Sequence, residues 1–80
     1  MLDELKNGRK TVGIKQSLKA VEAGTARLLF IAKDADEKVV GNLKVLAQNS
    51  SIEIVYVDTM KQLGKACGIE VGASAACLLK

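Results

Sequence analysis

The stretch Gly13-Ile14-Lys15-Gln16-Ser17-Leu18-Lys19 sets two lysines and an amide directly after a glycine, where the apolar spacing begins to follow a helix. The first N–H groups of a helix lack partners within it, and the dipole is positive there, so such an end favours phosphate. Lysine can donate to guanine O6 and N7, and glutamine can pair with a base edge. From the residues alone, an anion-binding helix end and an ordinary solvated lysine face are equally good readings. A second segment, Ile69-Glu70-Val71, carries two aliphatics between Gly68 and Gly72. Exposed, they could press on an unstacked base; buried, they form a turn over the core, and the pattern alone favours the core.

Other chemistry is largely excluded. Histidine is absent, which removes Ser-His-Asp triads, Cys-His pairs and every His-ligated metal site. Cys67 and Cys77 are too few for a structural zinc in one chain, and two buried, reduced thiols are expected instead. Asp34, Asp36 and Glu37 could in principle do acid–base work, but their place just before a helical pattern suits capping better. Gly64-Lys65 lacks the upstream glycine and the following hydroxyl of a phosphate-binding loop. The expectation is a protein that is not an enzyme and needs no metal or cofactor.

The elements that must position these residues can be read from periodicity. A short helix is expected within Leu2 to Lys10, interrupted by Gly8, followed by a β-prone step at Thr11-Val12. Ile14 to Ala23 reads as a helix with Ile14, Leu18 and Val21 on one stripe, Lys15 and Lys19 on the wet side, and Gly24 as a left-handed stop. Arg27 to Ala32 is a near-continuous apolar run, expected to be a strand buried on both faces. Asp34 or Asp36 would cap the next helix, whose inner side is Val39, Val40, Leu43, Leu46 and Ala47. Ile52 to Val57 is a second clear strand, and Asp58-Thr59 would start a short helix over Met60 to Ala66. Ser74 to Leu79 is a small-residue strand. Strands separated by helices mean a layered α/β domain, and the length of 80 residues predicts one domain over 1–80. With Phe30 and Tyr56 as the aromatic residues, the core must be aliphatic.

Charge is unevenly spread. Residues 1–19 hold five bases and two acids, residues 20–60 four bases and six acids, and residues 61–80 three bases and one acid. If the two ends meet in space, the protein has one cationic side, which attracts phosphate. The acidic opening Met1-Leu2-Asp3-Glu4 is unlike a signal peptide, and no apolar run approaches a membrane span. A cytoplasmic protein with no membrane partner is expected, a monomer by default.

Three segments together resemble the kink-turn-binding ribosomal protein family, of the L-seven-Ae and L-thirty-e type. They are Val12 to Gly24, Ile31-Ala32-Lys33-Asp34-Ala35-Asp36, and Lys61-Gln62-Leu63-Gly64-Lys65-Ala66-Cys67-Gly68-Ile69-Glu70-Val71-Gly72. The third is the most specific, and the likeness runs in order along nearly the whole chain. Short bacterial single-domain members look most similar, since they also carry Lys-Gln in the first segment.

The resemblance implies a three-layer α/β/α sandwich with a central mixed β-sheet. It implies a non-catalytic protein that binds and stabilises structured RNA containing a kink-turn, a bulge beside tandem sheared G·A pairs, in a ribosome or riboswitch setting and not on DNA. By position, Gly13 would allow close backbone approach beside Ile14. Lys15 and Gln16 would face guanine edges, where archaeal relatives place Asn and Glu. Lys19 would reach the same guanines or a nearby phosphate. Lys33 and Asp36 would border the site, Lys61 would lie near the RNA backbone, and Ile69, Glu70 and Val71 would cover an extruded nucleotide. Gly72 stands where archaeal relatives often have proline. A different class of function, a protein–protein module on a ribonucleoprotein scaffold anchored by the Ile69–Val71 loop, is the alternative reading.

Overall fold

The structure, a computed structural model, describes residues 2–80. Four helices and four strands alternate along the chain: α1 (Leu2–Asn7), β1 (Lys10–Val12), α2 (Ile14–Ala23), β2 (Ala26–Ala32), α3 (Glu37–Asn49), β3 (Glu53–Val57), α4 (Met60–Ala66) and β4 (Ala75–Leu79). The strands form a sheet in the order β1-β4-β2-β3. β2 pairs with β3 in parallel, and β4 runs antiparallel to both β1 and β2, so the sheet is mixed.

Alternation along the central strands builds two cores. On β2, Leu28, Phe30 and Ala32 face one cluster while Leu29 and Ile31 face the other; on β4, Ala76 and Leu78 oppose Ala75 and Cys77. This period of two, with both faces apolar, is why the β2 sequence reads as an unbroken hydrophobic run. Leu5 of α1 and Leu63 of α4 close the first core. Ala20 and Val21 of α2, with Val40, Leu43 and Ala47 of α3, close the second. The result is an α/β/α sandwich in three layers, as the resemblance implies. The small residues of β4 fit its place between two strands and beneath helices on both sides.

Several local expectations shift. α1 stops at Asn7, with the Gly8 N–H on the Glu4 carbonyl at 2.7 Å, and Lys10 passes into β1. On α2 the buried stripe is Ser17, Ala20 and Val21, with Ile14 and Leu18 half-buried beside it. Val39, expected inside, is exposed, because the inner face of α3 is Val40, Leu43 and Ala47. β3 starts at Glu53, one residue late, after Ser51 takes a left-handed φ of 58°. Cys67 and Cys77 are free and buried, and they belong to opposite cores. No helix among the described residues is long and apolar enough to cross a membrane.

Candidate nucleic-acid interface

β1, β2 and β3 all run the same way and β4 runs against them. The carboxyl ends of three strands and the amino end of the fourth therefore share one end of the sheet. Hydrogen bonds stitch the connecting segments together there. The Gly13 N–H donates to the Ala75 carbonyl at 2.8 Å, Ala32 N–H to Ser74 at 3.0 Å, and Lys33 N–H to Val57 at 2.8 Å. The Met60 N–H donates to the Asp34 carboxylate at 2.7 Å, and Ala73 N–H to the Met60 carbonyl at 3.0 Å. Asp34, one of two expected caps for α3, thus serves α4 instead.

The amino end of α2 is open. Gly13 holds φ +95°, in the region that favours glycine, and a side chain there would meet nothing within 4 Å. No side chain caps the helix, so no capping group competes with an anion for its first-turn N–H groups. Ile14 is half-buried, while Lys15, Gln16 and Lys19 are exposed. Lys15 and Lys19 lie one turn apart, so they share a face.

What fixes this helix end to the sheet is a buried polar cluster. Ser17 is fully buried, with its hydroxyl 3.0 Å from that of Thr11. The Thr11 hydroxyl accepts the Cys77 N–H at 3.3 Å, and the Cys77 thiol donates to the Ser17 carbonyl at 3.8 Å. Burial pushes the Cys77 thiol up, against the hydrogen bonds from Ser17 and Thr11. Sequence reasoning did not single out Ser17 or Thr11. The available signal was the three-residue step from Ile14 to Ser17 to Ala20, which places a serine on the inner face.

Across the same sheet end lies the other layer. Thr59 caps α4 by accepting the Gln62 N–H at 3.0 Å, and Lys61 is exposed in its first turn. Ile69 packs against the α1/α4 core, so the expectation of a core turn holds for that residue. Glu70 is exposed, and Val71 is 71% exposed, the most open large aliphatic among the described residues. Between the layers, the Lys33 ammonium pairs with Asp58 at 3.3 Å on the surface. Asp36 caps α3 by accepting the Lys38 N–H at 2.9 Å, which commits one of its oxygens.

The fold therefore draws Gly13, Ile14, Lys15, Gln16, Lys33, Asp36, Lys61, Ile69, Glu70 and Val71 to one end of the sheet. Lys19 stands one turn further along α2. Gly13 to Gln16, Lys33 and Asp36 lead into α2 and α3, while Lys61 and the loop belong to the α1/α4 layer; the start of β4 joins them. Lysines mixed with acids, one uncapped helix end and one bare aliphatic gather there, and the uncapped end and the ammonium groups are suited to an anion. Among the described residues no cluster of three or more acidic or thiol side chains could hold a metal.

Comparison with known proteins agrees with this architecture. The chain is 50% identical over 68 residues to an RNA-binding protein of Caldanaerobacter subterraneus, covering 85% of this chain and 83% of that one. It is 39% identical over 83 residues to the large ribosomal subunit protein eL8 of Halobacterium salinarum, covering 98% of this chain and 69% of that one. Among solved structures, the Giardia lamblia 15.5kD RNA binding protein superposes with a TM-score of 0.91 at 30% identity, over 99% of this chain and 70% of that one. A family model matches residues 2–80. On these grounds the chain belongs to the Ribosomal protein L7Ae/L30e/S12e/Gadd45 family.

Proposed function

We propose that this protein binds RNA without catalysis, and that it recognises and stabilises the kink-turn, a bulge flanked by tandem sheared G·A pairs. The observation that carries the reading is the pairing of an open, uncapped α2 end, bearing Lys15, Gln16 and Lys19, with the exposed Val71 at the same sheet end. The names of the Caldanaerobacter and Giardia relatives support an RNA partner, and that of the Halobacterium relative a ribosomal one; the reading places the protein in the cytoplasm, on a ribosome or riboswitch RNA.

A regular A-form helix hides its base edges in a deep, narrow groove. A sharp bend opens that groove, and a helix end can then reach the guanines. Lys15 and Gln16 read base edges, while Lys19, Lys33 and Lys61 hold phosphates; base contacts specify and phosphate contacts position. Val71 presses on the unstacked nucleotide, with Ile69 anchoring the loop in the core below. Gly13 lets the RNA approach the backbone. Glu70 and Asp36 border the site, where they repel misplaced phosphates. Because the protein favours the bent form, it shifts the population of the RNA toward it.

The test is energy transfer across a doubly labelled kink-turn duplex. Adding protein should raise transfer with the G·A pairs present and leave it unchanged when Watson–Crick pairs replace them. Equal responses of the two duplexes would refute the reading.

A further inference from the structure

The cationic side expected from the charge distribution has a definite course. β1 pairs with β4 and α1 packs beside α4, so the two basic ends of the chain lie together. Lys61 and Lys65 are exposed and four residues apart on α4, on the side away from buried Leu63 and Cys67. Burial pushes the Cys67 thiol up, and the positive charge of Lys10 draws it back down. The Lys10 side chain shares the α1/α4 face with Leu78, its partner on β4, which lies in the same core as Leu63 and Cys67 of α4. The Lys10 ammonium also donates to the Lys6 carbonyl at 3.4 Å, which carries the series onto α1. None of the described ion pairs involves Lys6, Lys10, Lys61 or Lys65. The acids of this layer are Asp3 and Glu4 on α1, the latter held by Arg27 at 2.6 Å, and Glu70 in the loop after α4.

We propose that Lys61, Lys65, Lys10 and Lys6 form a phosphate track along the α4/α1 layer, on which the backbone of one RNA stem lies as it leaves the bend. The proposal rests on the kink-turn reading for its starting point at Lys61, and it extends the contact to α1 and β1. Charge complementarity selects the occupant: Lys61 and Lys65 stand one helical turn apart, roughly 5–6 Å, and Lys10 reaches the Lys6 backbone on the neighbouring helix, a row of exposed ammonium groups that suits a phosphodiester strand. Contacts of this kind add affinity without sequence preference, and each shows as released counterions.

The experiment compares the salt dependence of binding, by fluorescence anisotropy, for the unsubstituted chain and for the K6Q/K10Q/K65Q variant. The probes are a minimal kink-turn RNA, two versions with one or the other stem lengthened by a helical turn, and a plain duplex of matched length. A thermal melt verifies that the variant folds, and K38Q on α3 supplies a charge control. The unsubstituted chain should bind one lengthened kink-turn more tightly than the minimal one. The triple variant should lose that gain and lower the salt slope by about two to three, against no change for K38Q. An unchanged slope on every RNA, or an equal loss per charge from K38Q, would overturn the track while leaving the kink-turn reading intact. Failure of the unsubstituted chain to prefer the kink-turn over the duplex would overturn that reading instead, and the duplex slopes would still decide the track.

Discussion

The Val71 carbonyl lies where a side chain on Gly64 would stand, so the helix and the loop that follows it touch backbone to backbone. The contact sets the height of the 69–71 loop above α4 and leaves the Val71 side chain free. Gly64→Ala should force the two apart. Alanine gains about 1 kcal/mol in helix propensity, but overpacking against fixed backbone should outweigh it, for a net loss of about 1–3 kcal/mol in urea unfolding. RNA affinity should fall with it. Gly41→Ala in α3 is the matched control: a side chain there meets one Glu37 oxygen at 4.0 Å, and stability should rise by roughly 0.5–1 kcal/mol.

Asp34 joins two loops that the chain separates by 26 residues, through its bond to the Met60 N–H. Removing the carboxylate orphans a first-turn donor of α4. Asp34→Ala should cost about 0.5–2 kcal/mol, the range for a lost helix cap, and Asp34→Asn, which keeps an acceptor oxygen, should recover most of it. Equal melting temperatures for all three proteins would show that the bond carries no weight.

Burial pushes both thiols up from their ordinary values, and the sign of the pH dependence follows. In the unfolded chain a thiol ionises near pH 8.5; in the folded chain it holds its proton to higher pH. The stabilisation is whole below the unfolded value and is lost as pH rises toward the folded one. Unfolding free energy should therefore fall more steeply above pH 8.5 in the natural chain than in Cys77→Ala, although the variant starts lower for its cavity. Parallel pH profiles would contradict the assignment.

Legibility in the sequence followed local physics. The β2 run, the α2 start at Gly13 and the Thr59 cap were readable, because each depends on neighbours along the chain. The place of β4 between β1 and β2 was not: Ala75-Ala76-Cys77-Leu78 has no strong period, and its two-sided burial comes from helices remote in sequence. Polar residues with tertiary partners were equally hidden. The spacing of Ser17 puts it on the inner face of α2, but its partner shows only when Thr11 arrives from β1, and Asp34 looks like a cap for α3 until α4 folds back to it. The loop was half legible: Ile69 turned into the core as expected, whereas Val71 stayed out because Gly64 holds its backbone down.

Base reading and phosphate holding make opposite predictions for neighbouring parts of the same surface. Lys15 and Gln16 stand at the open end of α2, where base edges would be read; Lys61 stands across the sheet end, exposed and in a position to meet backbone. A paired Lys15→Ala and Gln16→Ala change should cost about 1–3 kcal/mol with a kink-turn RNA, and the loss should shrink when the G·A pairs are replaced, since the contacts that specify are then already gone. Lys61→Ala should weaken binding to both RNAs alike and lower the salt slope by about one. Gel-shift titrations at several salt concentrations separate the two. A uniform loss from the paired variant would make α2 a phosphate-binding helix end and nothing more, and the specificity of the complex would then have to come from the shape of the bent RNA alone.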